Sequence, residues 1–201
     1  MAEHVIVVRS GPTAYELEGR IRGTLDVPLA PEGVAAADQA AAELAALRDG
    51  RTIASLSTAT DAASTETAAV IARSLGLRAR PVPGMDNLDQ GLWQGLRVED
   101  IRQKQPRLHR QWQENPWSIA PPEGESLDEV CDRLGDALEK IVRRHGGLVV
   151  VVVPPPLDRL VHWLVSGEAP VDLWTPTTGP LVSTLPLGAQ WRSDRRPVPV
   201  G

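Results

Sequence analysis

Two apolar runs constrain this chain more than anything else in it: Val5-Ile6-Val7-Val8 near the start, and Leu148 to Val153 towards the end. β-Branched residues are stiff at χ1 and pack well on a pleated surface, so both runs read as strands. Neither alternates with polar residues. A strand that is apolar on both sides has to be covered on both sides, which is the condition of a parallel sheet between two layers of helices. Each run also stops abruptly. The first leads into Arg9-Ser10-Gly11-Pro12-Thr13, a turn-forming sequence, and the second into Pro154-Pro155-Pro156. In open α/β sheets ligands sit beyond the carboxyl ends of the strands. A site is therefore expected at the carboxyl end of the first strand.

The segments between the runs supply the helices. Residues 31 to 48 read as a helix with Pro31 in the first turn, Val34, Ala37, Ala41 and Leu44 on one face, and Gly50 as the stop. Ile53 to Leu56 is a short strand, followed by a small-residue turn and a helix running to about Leu75. Residues 77 to 97 read mostly as loop, and 97 to 113 as helix broken at Pro106. Ser126 and Glu129 form a capping box ahead of a helix that buries Leu127, Val130, Leu134, Leu138, Ile141 and Val142. Leu157, Leu160, Val161 and Leu164 mark a further amphipathic helix, Leu181 to Leu187 a late strand, and about 190–201 a polar tail. The expected fold is α/β, a three-layer α/β/α sandwich with a mostly parallel central sheet. Its 201 residues, with no repeat or linker, make one domain over residues 1–201.

Composition narrows the partners. A net charge of −5 argues against a general nucleic-acid binder. No apolar run approaches the length of a membrane span, and the N-terminus lacks the pattern of a signal peptide. The single cysteine, Cys131, excludes an intramolecular disulfide. A cytoplasmic protein is expected, with no membrane and no nucleic acid among its partners. Of the six tryptophans, Trp93 and Trp163 fall inside regular elements and read as core. Trp112, Trp117, Trp174 and Trp191 lie near loops or breaks, where they either pack or mark a partner surface.

Several short motifs recur at fixed spacing: Arg9-x-Gly11-x-Thr13 after the first strand; Gly19-Arg20, Gly23, Asp26, Pro28-Leu29 and Gly33; Thr67-Ala68; Gly91-x-Trp93-x-Gly95-Leu96; and Pro121-Pro122-Glu123-Gly124-Glu125-Ser126. Together they resemble the histidine phosphatase (phosphoglycerate mutase-like) superfamily over roughly residues 5 to 187. The resemblance implies the phosphoglycerate mutase-like fold and phosphomonoester hydrolysis or phosphomutase chemistry through a phosphohistidine. It implies no cofactor and no metal. It also maps the family's catalytic positions onto residues that cannot repeat that chemistry. The phosphorylated histidine falls on Ser10, the second arginine on Ala63, the acid on Asn87 and the second histidine on Pro154. An asparagine near the phosphate falls on Glu16. Of the core charged set Arg9 remains.

None of His4, His109, His145 and His162 is placed by spacing near Ser10, so a serine nucleophile has no base to activate it. Asp86 and Asp89 flank Asn87 as candidates for a shifted acid. Arg9 either binds an anion with the turn amides of Ser10 and Gly11, or pairs with Glu16 or Asp86. The residual pocket is expected to comprise Arg9, Gly11, Thr13, Glu16, Arg20 and Asp86. Three functions are compatible with this pattern. The first is a catalytically inactive pseudoenzyme that binds a protein partner or a small ligand, as a monomer or a homodimer. The second is a phosphatase or phosphomutase with displaced catalytic groups. The third is an enzyme of another class using the same cleft, with Ser10, Asp86 or Glu16 in new roles.

Overall fold

The computed structural model describes residues 1–48, 50–168, 170, 173–174, 180–188 and 191. The two apolar runs are neighbouring parallel strands, β1 (Ala2–Arg9) and β4 (Gly147–Val153), in register from Val5 opposite Val149 to Arg9 opposite Val153. β2 (Ile53–Thr58) lies on the other side of β4, and the short β3 (Ala79–Pro81) beyond it, both parallel. β5 (Val182–Pro186) closes the opposite edge antiparallel to β1, giving the order β3-β2-β4-β1-β5.

The unbroken runs are explained by the two layers. Val5, Val7, Val149, Val151 and Val153 face one core, shared with α6 (Leu127–Arg144) and α7 (Leu157–Ser166). Ile6, Val8, Leu148, Val150 and Val152 face the other, shared with α2 (Pro31–Leu47) and α3 (Ala62–Leu75). Successive residues of a strand point to opposite faces, so a strand covered twice has no position for a polar side chain.

The helices begin and end where their sequences direct. Ser126 and Glu129 make the reciprocal capping box of α6, and Gly76 ends α3 in the left-handed conformation with φ of 65°. The stretch 77–97 holds β3 and a 3-10 turn at Gly91–Trp93, and Pro106 divides α4 (Val98–Lys104) from α5 (Pro106–Glu114). These two helices bury Ile101 and Trp112 against Ile21 and Trp93 in a third, smaller core. The expected polar tail lies outside the described residues except for Trp191, which packs against the main core. No helix among the described residues is long and apolar enough to cross a membrane.

Candidate functional site

β1 and β4 deliver their two turns to the same sheet edge. The Ser10 N–H donates to the Val153 carbonyl over 2.9 Å, so Ser10 and Pro154 are the next residues along adjacent strands. A short helix α1 (Ala14–Leu17) follows β1, capped by Thr13, whose backbone N–H and hydroxyl both donate to Glu16. Gly11 passes close under α2: a Cβ there would stand 2.3 Å from the Gly33 carbonyl oxygen. Its N–H donates to Thr67 Oγ1, and that hydroxyl donates to the Ala63 carbonyl. Gly11, Gly33 and Thr67 are thus explained by backbone packing alone.

A cavity of about 420 Å³ opens above this edge. The strand-end turns contribute Arg9, Ser10, Pro12, Pro155 and Pro156, and the connection after β1 contributes Glu16, Arg20, Ile21 and Arg22. Asn87, Gln90, Val98 and Trp112 come from the central segments, and Arg159, Leu173, Trp174 and Leu181 from the C-terminal part. Trp112 and Trp174 stack with ring centroids 4.0 Å apart, and the Trp174 indole N–H donates to the Trp112 carbonyl over 2.8 Å. Trp112 also meets the edge of Trp93 at 5.4 Å. The tryptophans near breaks are therefore packed: Trp112 is buried, Trp174 lies on it, and Trp117 lies against Trp163.

The charges in the cavity are compensated. Arg22, only 2% exposed at its side chain, donates through Nε to Glu16 and through Nη1 to Asp61, each over 2.8 Å. Burial alone would raise the Glu16 carboxyl, but the Arg22 charge and the hydrogen bonds from Thr13 and Arg22 hold it below the usual range. Arg20 donates to Glu18 and to the Gly95 carbonyl. Among the described residues Arg9 forms an ion pair with Asp158 in the first turn of α7, at 3.9 Å, and not with Glu16 or Asp86. Burial pushes the Asp158 carboxyl up, opposed by Arg9, Arg159 and His162. Arg22, Asp61 and Asp158 were not singled out by sequence. Arg22 lies in a stretch with no regular element, so no periodicity marks it as inward-facing. The reach from α7 back to β1 is a tertiary fact.

The Ser10 hydroxyl is sealed from solvent and has no hydrogen-bond partner among the described residues. No histidine lines the cavity among them. His162 Nε2 lies 2.6 Å from Ser183 Oγ on β5, His109 packs against Trp112, His4 sits at the far end of β1, and His145 ends α6. Ala63 is fully buried in the first turn of α3, and Pro154 is buried with its carbonyl accepting from Leu157 N–H. Asn87 lines the cavity and donates from its amide to the Gly23 carbonyl over 3.0 Å. Asp86 accepts from the Thr60 amide and hydroxyl, and Asp89 from the Gly91 amide. Both aspartates hold turns, and the cavity lining includes neither of them, nor Gly11 nor Thr13. No group of side chains suited to a metal ion occurs among the described residues.

The chain matches the family model of the histidine phosphatase superfamily (branch 1) over residues 5–175. Phosphoserine phosphatase 1 of Hydrogenobacter thermophilus is 31% identical over 149 residues, which cover 74% of this chain and 69% of the relative. The metal-independent phosphoserine phosphatase of Arabidopsis thaliana is 32% identical over 152 residues, covering 74% of this chain and 62% of that protein. Among solved structures, Bacillus stearothermophilus YhfR superposes with a TM-score of 0.80 over 94% of each chain at 24% identity, a likeness of fold. Mycobacterial glucosyl-3-phosphoglycerate phosphatase superposes with a TM-score of 0.73 over 83% of this chain and 81% of its own, at 26% identity.

Proposed function

This chain belongs to the histidine phosphatase superfamily, and on that premise we propose that it is a non-catalytic member that binds a ligand in the cavity above Ser10. The observation that carries the reading is the state of Ser10 at the end of β1. Its hydroxyl is buried and has no hydrogen-bond partner, and so no base to activate it, among the described residues. An unactivated hydroxyl is a poor nucleophile at neutral pH, and one out of reach of solvent is poorer still. By the family resemblance this is the position from which the nucleophile attacks phosphorus.

The surroundings support the same reading. Arg9, Arg20 and Arg22 have carboxylates beside them, so they offer a phosphate dianion less than their number implies. Asn87 donates hydrogen bonds but is no acid for a leaving alkoxide. Ala63 and Pro154 supply no charge, and each missing preorganised donor of this kind costs about 3 kcal/mol of transition-state stabilisation.

The test is turnover by purified protein of p-nitrophenyl phosphate, 3-phosphoglycerate and phosphoserine. The expected rate is that of buffer. The competing reading, displaced catalytic groups, draws on relatives that are named as phosphatases. It is adopted if turnover is robust and is lost in Ser10→Ala or Asp86→Ala.

A further inference from the structure

We propose that the ligand of this cavity is a flat, ring-containing organic molecule carrying at most one negative charge, not a phosphomonoester. The inference rests on the non-catalytic reading and goes further, to the class of molecule recognised.

Two observations carry it. The first is the wall. Pro12, Ile21, Val98, Pro155, Pro156, Leu173, Leu181 and the stacked pair Trp112–Trp174 make most of the lining apolar. A cavity near 420 Å³ has the size of small-molecule sites, which run from about 300 to 1,000 Å³ and bury mainly apolar ligand surface. Aromatic faces are attractive to other rings in offset or edge contact.

The second is the charge. Four arginines line the cavity, Arg9, Arg20, Arg22 and Arg159. Four carboxylates stand against the first three of them: Asp158 by Arg9, Glu18 by Arg20, and Glu16 with Asp61 by Arg22. Each of those three arginines thus has a carboxylate beside it, and Glu16 itself lines the cavity with its carboxyl held ionised by Arg22 and Thr13. A dianion beside Glu16 or Arg22 would meet that carboxylate or have to break the Arg22 pairs, a monoanion meets weaker opposition, and a neutral ring meets none.

Three probes of similar size separate the alternatives: indole, 1-naphthoate and 1-naphthyl phosphate. Each is titrated into the full chain by calorimetry, with tryptophan fluorescence and melting temperature as parallel readouts. The inference expects indole and 1-naphthoate to bind and to raise the melting temperature, with 1-naphthyl phosphate no tighter than 1-naphthoate. It expects Trp174→Ala to weaken binding at least tenfold. Val98→Trp, which fills the cavity from a half-buried position at the start of α4, should abolish it and serves if Trp174→Ala does not fold.

The naphthyl phosphate titration also reports hydrolysis, since released 1-naphthol fluoresces. Failure of both phosphate-free probes to bind, binding unaffected by Val98→Trp, or a tenfold preference for 1-naphthyl phosphate without hydrolysis overturns the ligand class alone. Hydrolysis of 1-naphthyl phosphate that Val98→Trp abolishes overturns the non-catalytic reading and this inference with it.

Discussion

Replacing Arg22 by Met tests how the connection after β1 is held. The Arg22 side chain is 2% exposed and its two partners, Asp61 and Glu16, are 10% and 27% exposed, each 2.8 Å away. The substitution keeps much of the volume and strands two carboxylates. Removing one member of a buried charge network costs about 3–5 kcal/mol, because the remaining charge is left unpaired. Water can reach part of Glu16, so the lower end, about 3 kcal/mol, is the expected loss at pH 7. For a chain of this size that is a fall in melting temperature of roughly 6–12 °C.

The pH dependence has a definite sign. In the natural protein the folded-state pKa of Glu16 is below its usual value of 4.5. Its contribution to stability is therefore present above about pH 4.5 and is lost as pH falls through the lower folded value. In Arg22→Met the guanidinium charge and its hydrogen bond are lost while the two hydrogen bonds from Thr13 remain, so the Glu16 carboxyl lies higher than in the natural protein. The variant then gains stability relative to the natural protein as pH falls. Urea unfolding followed by tryptophan fluorescence at pH 7 and at about pH 3.5 measures both effects. A loss under about 1 kcal/mol at pH 7, or a gap that does not narrow at the lower pH, refutes the account of Arg22 as the compensating centre of this site.

Ser10→His alone should leave turnover of p-nitrophenyl phosphate at the buffer rate, since Ala63, Asn87 and Pro154 are unchanged; measurable turnover would show that the other groups are in place. Gly11→Ala should destabilise by about 1–3 kcal/mol or more in urea unfolding, because the new methyl meets the Gly33 carbonyl oxygen at 2.3 Å. Ser126→Ala should cost about 1 kcal/mol through the lost cap of α6, again read from the urea midpoint. His162 should titrate below the usual 6.5 in NMR spectra because burial disfavours its charged form, so it favours folding above that pH and loses this contribution as pH falls through the folded value.

The sequence by itself determined the layers. Val5–Val8 and Leu148–Val153 allow no exposed face, so a parallel sheet between helices follows from them, and their ends locate the site without coordinates. The caps at Ser126 and Gly76 were equally legible, because their partners lie within a few residues. What lines the site was decided by the tertiary structure. Arg9 meets Asp158 because α7 returns to the end of β1, and Arg22 meets Asp61 because the irregular stretch after α1 crosses the start of α3. Trp112 and Trp174 stack across a separation of 62 residues. Periodicity reports which side of an element is apolar, a property of neighbours along the chain. The pairing of charges and rings across a cavity depends on which elements the fold brings face to face, and no local pattern carries that.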